Sequence, residues 1–186
     1  MKLIAGVDEA GRGALAGPVV AAAVILPDEY DLVGLNDSKK VSPLKREKLF
    51  GKITNQAISI GVGIISSHEI DKINILESTY KAMKMSLGRL KPFPDEALID
   101  GFPLTTQVIP NHGIIKGDEK IDVIKAASII AKVTRDSIML EYDMQYPMYA
   151  FKNHKGYGTK EHIKLLQLHK PCDIHRKTFK PVSTIV

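Results

Sequence analysis

The 186-residue chain has no tryptophan, six tyrosines, five phenylalanines and a single cysteine, Cys172. One cysteine excludes an internal disulfide framework and points to a reducing compartment. Long apolar runs are also missing. The longest, residues 14–27, is interrupted by Pro18 and falls short of the ~20 residues a membrane-spanning helix needs. Asp8 and Glu9 halt the apolar residues 3–7, which the core of a secretion signal does not tolerate. These absences exclude a secreted, collagen-like, disulfide-rich or membrane-spanning protein, and a cytoplasmic one is expected. With 44% apolar and 25% charged residues, the chain reads as one domain over 1–186, long enough to bury a substantial core.

The net charge of +5 is unevenly spread. Residues 151–186 hold eight Lys or Arg against two Asp or Glu, and four of the six histidines. The residues before them carry 18 basic and 19 acidic groups. A basic end on a neutral body suits a polyanion, nucleic acid above all, although a solvated terminal face would look the same.

Residues 2–7, 18–26, 58–65 and 97–100 read as strands, the first ending at Asp8. Ser42 and Pro43 open a helix carrying Leu44, Leu49, Phe50 and Ile53. Residues 66–90 read as helical with a break near Asn74, residues 122–142 as a long alanine-rich helix, and residues 159–169 as a last helix. The order β-β-α-β-α-β-α-α defines an α/β fold.

Three apolar segments close on carboxylates: Ile4 to Asp8-Glu9, Ala97 to Asp100, and Ile114 to Asp118. Carboxylates at strand ends lie on the rim of a sheet, where α/β sites form. Adjacent strand residues point to opposite faces, so Asp8 and Glu9 are expected to share a site only if the strand breaks there. Converging carboxylates repel unless protonated or metallated, and Mg²⁺ or Mn²⁺ suits an all-oxygen site. Separate turn and cap roles are the alternative for these acids.

Gly11-Arg12-Gly13 fails as a dinucleotide-binding turn, because the next glycine is Gly17 and Pro18 opens a strand instead of a helix. It leaves a backbone that a substrate can approach closely, with Arg12 available to phosphate. Tyr157 sits between two glycines, where a sugar or base can stack on it. Lys39-Lys40 after Asp37-Ser38 forms a second basic site or a solvated loop. The histidines and Cys172 lack zinc spacing.

Taken together, Val7-Asp-Glu-Ala-Gly-Arg-Gly13, Asn36-Asp-Ser-Lys-Lys40, Leu98-Ile-Asp-Gly101, Lys116-Gly-Asp118, residues 126–136, residues 154–159, and His175-Arg176 with Phe179 resemble the ribonuclease HII family over nearly the whole chain. The resemblance implies a ribonuclease H-like fold, a mixed central β-sheet flanked by helices, with a small basic helical C-terminal segment packed against it. It implies catalytic, metal-holding carboxylates at Asp8, Glu9, Asp100 and Asp118, with two divalent ions, Mg²⁺ or Mn²⁺. It also implies that Gly11, Arg12 and Gly13 contact a ribonucleotide 2′-OH, that Tyr157 packs on the next sugar, and that Ser38, Lys39 and Lys40 bind substrate. The implied partners are RNA–DNA hybrid and ribonucleotide-containing duplex DNA, cut 5′ of the ribonucleotide by a monomer. An enzyme that needs runs of ribonucleotides, or a non-catalytic hybrid-binding module, are the alternatives. Asp136 is expected to be structural. Val41, Lys125 and Lys170 depart from the pattern, Lys170 standing where glycine is more typical. The short stretch after Phe179 suggests the compact form of the family.

Overall fold

Every side chain from Val19 to Ile25 is buried, which only a strand covered on both faces can satisfy. In the computed structural model, which describes residues 2–185, this strand is β2 of a five-stranded sheet. Its other strands are β1 (Ile4–Ala10), β3 (Ser59–Ile65), β4 (Glu96–Asp100) and β5 (Asn111–Ile114). The spatial order is β3-β2-β1-β4-β5, with β1–β2 and β2–β3 antiparallel and β1–β4 and β4–β5 parallel. The mixed α/β sheet matches the expected fold. Strand β5 is an addition to it: four residues, Asn-His-Gly-Ile, offer too little apolar alternation to announce an edge strand.

The helices are α1 (Pro43–Gln56), α2 (Ser67–Ile73), α3 (Ile75–Gly88), α4 (Gly117–Lys120), α5 (Asp122–Gln145), α6 (Phe151–His154) and α7 (Lys160–His169). Ser42 occupies the N-cap of α1, but its side chain makes no capping bond. Asn74 divides α2 from α3 as anticipated, and its side chain caps α3 by accepting from the Glu77 N–H at 3.0 Å.

Helix α3 covers one face of the sheet, where Ala82, Met83 and Leu87 pack with Ala21, Ala23, Ile25 and Ile99. Helices α1 and α5 cover the other, joining Leu49, Ile53, Ala126, Ala127 and Ile130 to Ala22 and Val24. A Cβ on Gly61 or Gly63 would collide with the Ser86 or Ala82 carbonyl, so α3 rides directly on β3. The alanines of α5 permit the same close approach on the opposite face. Lys125, on the partly exposed side of α5, pairs with Asp122 at 2.9 Å, and Val41 is buried in the α1–α5 core.

The basic C-terminal segment packs around Phe151 and Leu166 in two small clusters that also take in Leu15, Ala16 and Met139 of the body. It joins the body through residues 14–16: Ala14 bridges Tyr157 and Ala16 bridges His175. Full burial of Phe151 contributes about 2 kcal/mol to that attachment.

Candidate active site

Strand register brings the first two carboxylates together. Val7 pairs with Ile99 in the last rung of the parallel β1–β4 pairing, so Asp8 and Asp100 stand level just beyond it. Beyond β5, Lys116 adopts a left-handed conformation (φ 57°, ψ 46°) and turns the chain into α4, which carries Asp118. The Gly117 N–H donates to Asp100 Oδ1 at 2.8 Å, tying this turn to β4. One carboxylate oxygen from each of Asp8, Asp100 and Asp118 lies within 4.8 Å of the others.

Glu9 reaches the rim differently. The strand does not break at Asp8 but continues through Ala10, so the alternation persists and the two acids face opposite sides of the sheet. Asp8 lies on the α5 side near Ser128, whereas Glu9 borders a cleft against α3 and pairs with Arg12 at 3.4 Å. Glu9 is therefore outside the trio, although its charge is felt by Asp8.

Burial, reinforced by the charges of Glu9 and Asp100, holds the Asp8 carboxyl well above the usual carboxylate range. Asp118 is raised by burial and then by Asp100 and Asp37. Among the described residues, the one cation within salt-bridge distance of the trio is Lys39, 3.6 Å from Asp118. Burial tends to neutralise the Lys39 ammonium, but Asp37, Asp118 and Asp8 outweigh it and keep its pKa raised. Three repelling carboxylates with one lysine at the margin form an all-oxygen donor set that fits a hard divalent cation.

Beside the trio opens a cleft of about 400 Å³. Gly11, Arg12 and Gly13 line it, facing Ser38 and Lys39 from the loop before α1 and Ser128, Lys132 and Tyr157 on the other side. The Ser128 and Ser38 hydroxyls meet at 2.8 Å in a buried contact, and Ser128 favours the ionised form of Asp8. Lys40 turns to Glu119 at 3.0 Å and is not among the cleft-lining residues. Asp136 stays out of the trio and pairs with Lys132 at 2.7 Å.

Two fully buried arginines support the glycine-arginine-glycine loop. Arg176 donates to the carbonyls of Gly11 (2.7 Å), Arg12 (2.8 Å) and Gly17 (3.1 Å). Arg135 donates to those of Pro18 (2.9 Å), Lys155 (2.9 Å) and Ala16 (3.0 Å). Its guanidinium lies 5.1 Å from the Tyr157 ring centre and fills the space a Cβ on Gly11 (φ 95°) would need. Burial, with Arg135 nearby, lowers the Arg176 pKa to about 9.

A histidine relay holds Tyr157 from behind. The Cys172 N–H donates to His175 Nδ1 at 3.0 Å, which leaves the proton of that ring on Nε2. His175 Nε2 then donates to His162 Nε2 at 3.1 Å, and His162 Nδ1 donates to the Tyr157 carbonyl at 3.0 Å. Burial pushes both histidines down to about 4, so the relay is neutral near pH 7.

Sequence reasoning left Ser128, Lys132 and Arg135 without roles. A signal was present: spaced at i, i+4 and i+7, they form one polar stripe on an otherwise apolar stretch of helix.

The fold and this site define a carboxylate-centred α/β nuclease. The family model described as Ribonuclease HII matches residues 5–182. Ribonuclease HII of Acetivibrio thermocellus is 57% identical over 178 residues, spanning 96% of this chain and 70% of that protein. Ribonuclease HII of Enterococcus faecalis is 54% identical over 185 residues, spanning 100% of this chain and 72% of that protein. Among solved structures, ribonuclease H2 of Pyrococcus horikoshii superposes with a TM-score of 0.80 at 27% identity, covering 98% of this chain and 96% of that one. The chain belongs to the ribonuclease HII family.

Proposed function

We propose that this enzyme hydrolyses the phosphodiester on the 5′ side of a ribonucleotide embedded in duplex DNA, and the RNA strand of RNA–DNA hybrids, leaving 3′-hydroxyl and 5′-phosphate ends. The observation that carries the reading is the convergence of Asp8, Asp100 and Asp118 within 4.8 Å, with Asp8 buried and without a cation. Mg²⁺ or Mn²⁺, two ions during turnover, would be held by these residues with Glu9 from the opposite face, supplying charge neutralisation and an acidified water.

The remaining roles fall to the chain's own groups. Gly11, Arg12 and Gly13, pinned by Arg176, present a fixed backbone to the ribose and recognise its 2′-OH. Tyr157, fixed by Arg135 beside it and His162 behind it, packs on the sugar that follows. Ser38 sets the loop from which Lys39 and Lys40 approach backbone phosphates, and the basic residues of 151–186 extend that field. A purely binding role is disfavoured because unneutralised carboxylates oppose a polyanion. We read residues 1–186 as one domain acting as a monomer in the cytoplasm. No described helix is long and apolar enough to cross a membrane.

Duplexes carrying one or four ribonucleotides, cleaved side by side, test this reading. We expect cleavage of both. Cleavage confined to the four-ribonucleotide duplex would assign the run-dependent activity instead.

A further inference from the structure

Helix α5 passes first the carboxylate trio and then the cleft beside it. Ser128 stands at the trio end, close enough to favour the ionised form of Asp8. Lys132, one helical turn further on, lines the same cleft next to Tyr157. Four residues advance a helix by about 6 Å, which is of the order of the step between successive phosphates on one strand.

Lys132 is unusually placed for a lysine. Ile129, Ile130 and Ala131 before it are buried core, and its own side chain is only 19% exposed. Its ammonium lies 2.7 Å from Asp136 and 5.5 Å from the centre of the Tyr157 ring. Asp136 is shared, because Arg46 approaches its other oxygen at 3.9 Å while donating to the Ser38 and Val41 carbonyls. Two cations thus meet one carboxylate, which leaves positive charge in excess on the cleft wall. An ammonium has three donors, and among the described residues Asp136 is the one hydrogen-bond acceptor that Lys132 has. A largely desolvated ammonium with donors to spare favours an anion beside it.

We infer that Lys132 binds the phosphate on the 3′ side of the ribonucleotide, the linkage that is kept while the 5′ one is cut. The inference rests on the cleavage reading above. With the scissile phosphate at the carboxylates, the ribose on the backbone of residues 11–13 and the next sugar on Tyr157, one phosphate must lie between ribose and tyrosine. The bridge between Ala14 and Tyr157 sets those two surfaces side by side, and Lys132 is the cleft-lining cation beside the ring. The phosphates of a duplex face outward, so the contact requires no unpairing of bases. Held at two successive phosphates, the ribonucleotide cannot slide along the acidic rim. Lys132 fixes this register and takes no part in bond making.

The test isolates this phosphate with a nick. Single-ribonucleotide duplexes are interrupted directly 3′ of the ribonucleotide, the next nucleotide bearing either a 5′-phosphate or a 5′-hydroxyl, and Kd is read in Ca²⁺ in place of Mg²⁺. Wild type should bind the phosphate nick about tenfold more tightly, the scale of one hydrogen bond to a charged group. Lys132→Met should bind both nicks alike, at the level of wild type on the hydroxyl nick, and Lys132→Arg should restore the preference. With the nick moved one nucleotide further 3′, the deficit of Lys132→Met should be the same whichever end group is present. On the uninterrupted duplex, Lys132→Met should reduce the salt slope of binding by about 1. In Mg²⁺ it should slow cleavage of that duplex about tenfold. A full phosphate preference in Lys132→Met, or none in wild type, would overturn the inference. If wild type fails to cut the uninterrupted duplex 5′ of the ribonucleotide in Mg²⁺, the cleavage reading itself has failed, and the inference falls with it before any variant is compared.

Discussion

Asp8 and Arg176 are both buried charges, yet their surroundings differ in kind. Arg176 spreads its donors over three backbone carbonyls, and Arg135 does the same with three others. Asp8 accepts from the Glu9 N–H at 2.7 Å and is eased by Ser128, but burial and the repulsion of Glu9 and Asp100 outweigh both. A buried charge with its hydrogen bonds met serves as scaffold: the two arginines shape the loop that forms the cleft. A buried charge set among like charges stores unfavourable energy that a cation or a reaction can release. The C-terminal wall is thus built for shape and the acidic rim for chemistry.

Substitution should separate these two uses. Asp8→Asn is expected to reduce cleavage about a thousandfold, matching several kcal/mol of lost transition-state charge stabilisation. Its urea midpoint should stay level or rise, since repulsion and burial of charge are both relieved. Arg176→Met should do the reverse first: stability falls by about 3 kcal/mol or more as three carbonyls lose their donor, read as a lower urea midpoint. If Asp8→Asn destabilised the fold as much as Arg176→Met, the distinction would not hold.

Acid should weaken the wall through its histidines. An unfolded histidine takes up its proton near pH 6.5, whereas His162 and His175 in the fold do so only near pH 4. Between those values the unfolded chain binds more protons, so their contribution is intact above about pH 6.5 and declines as pH falls toward 4. Urea midpoints in EDTA at pH 5 and pH 7.5 should show His162→Gln losing less stability on acidification than wild type, because the raised Asp8 and Asp118 carboxyls act in the opposite sense equally in both proteins. The smallest effect concerns Lys170, held at φ 64° and ψ 169°, a region nearly reserved for glycine. Lys170→Gly should raise stability by about 1 kcal/mol in the same assay, with no change in cleavage.

The acidic rim was the more legible of the two regions. Each of Asp8, Asp100 and Asp118 closes an apolar stretch, and parallel pairing turns three chain ends into one place. The expectation that Asp8 and Glu9 share a site only if β1 breaks there agrees with the geometry: β1 runs on to Ala10, and Glu9 stands outside the trio on the opposite face. The wall was harder to read because its partners are far apart in sequence: Arg176 bonds to Gly11 and Arg12, and Arg135 to Ala16 and Lys155. No local pattern announces a guanidinium whose acceptors are backbone carbonyls of distant loops. Strand β5 was hidden by its brevity and its Asn, His and Gly.

The most direct test of the account is end-mapped cleavage of a DNA duplex carrying one ribonucleotide, run in Mg²⁺, Mn²⁺ and EDTA. A single cut just 5′ of the ribonucleotide is expected, with 3′-hydroxyl and 5′-phosphate ends, in either metal and none in EDTA. A cut that persists in EDTA, or a 2′,3′-cyclic phosphate end showing that the 2′-OH attacked, would contradict it.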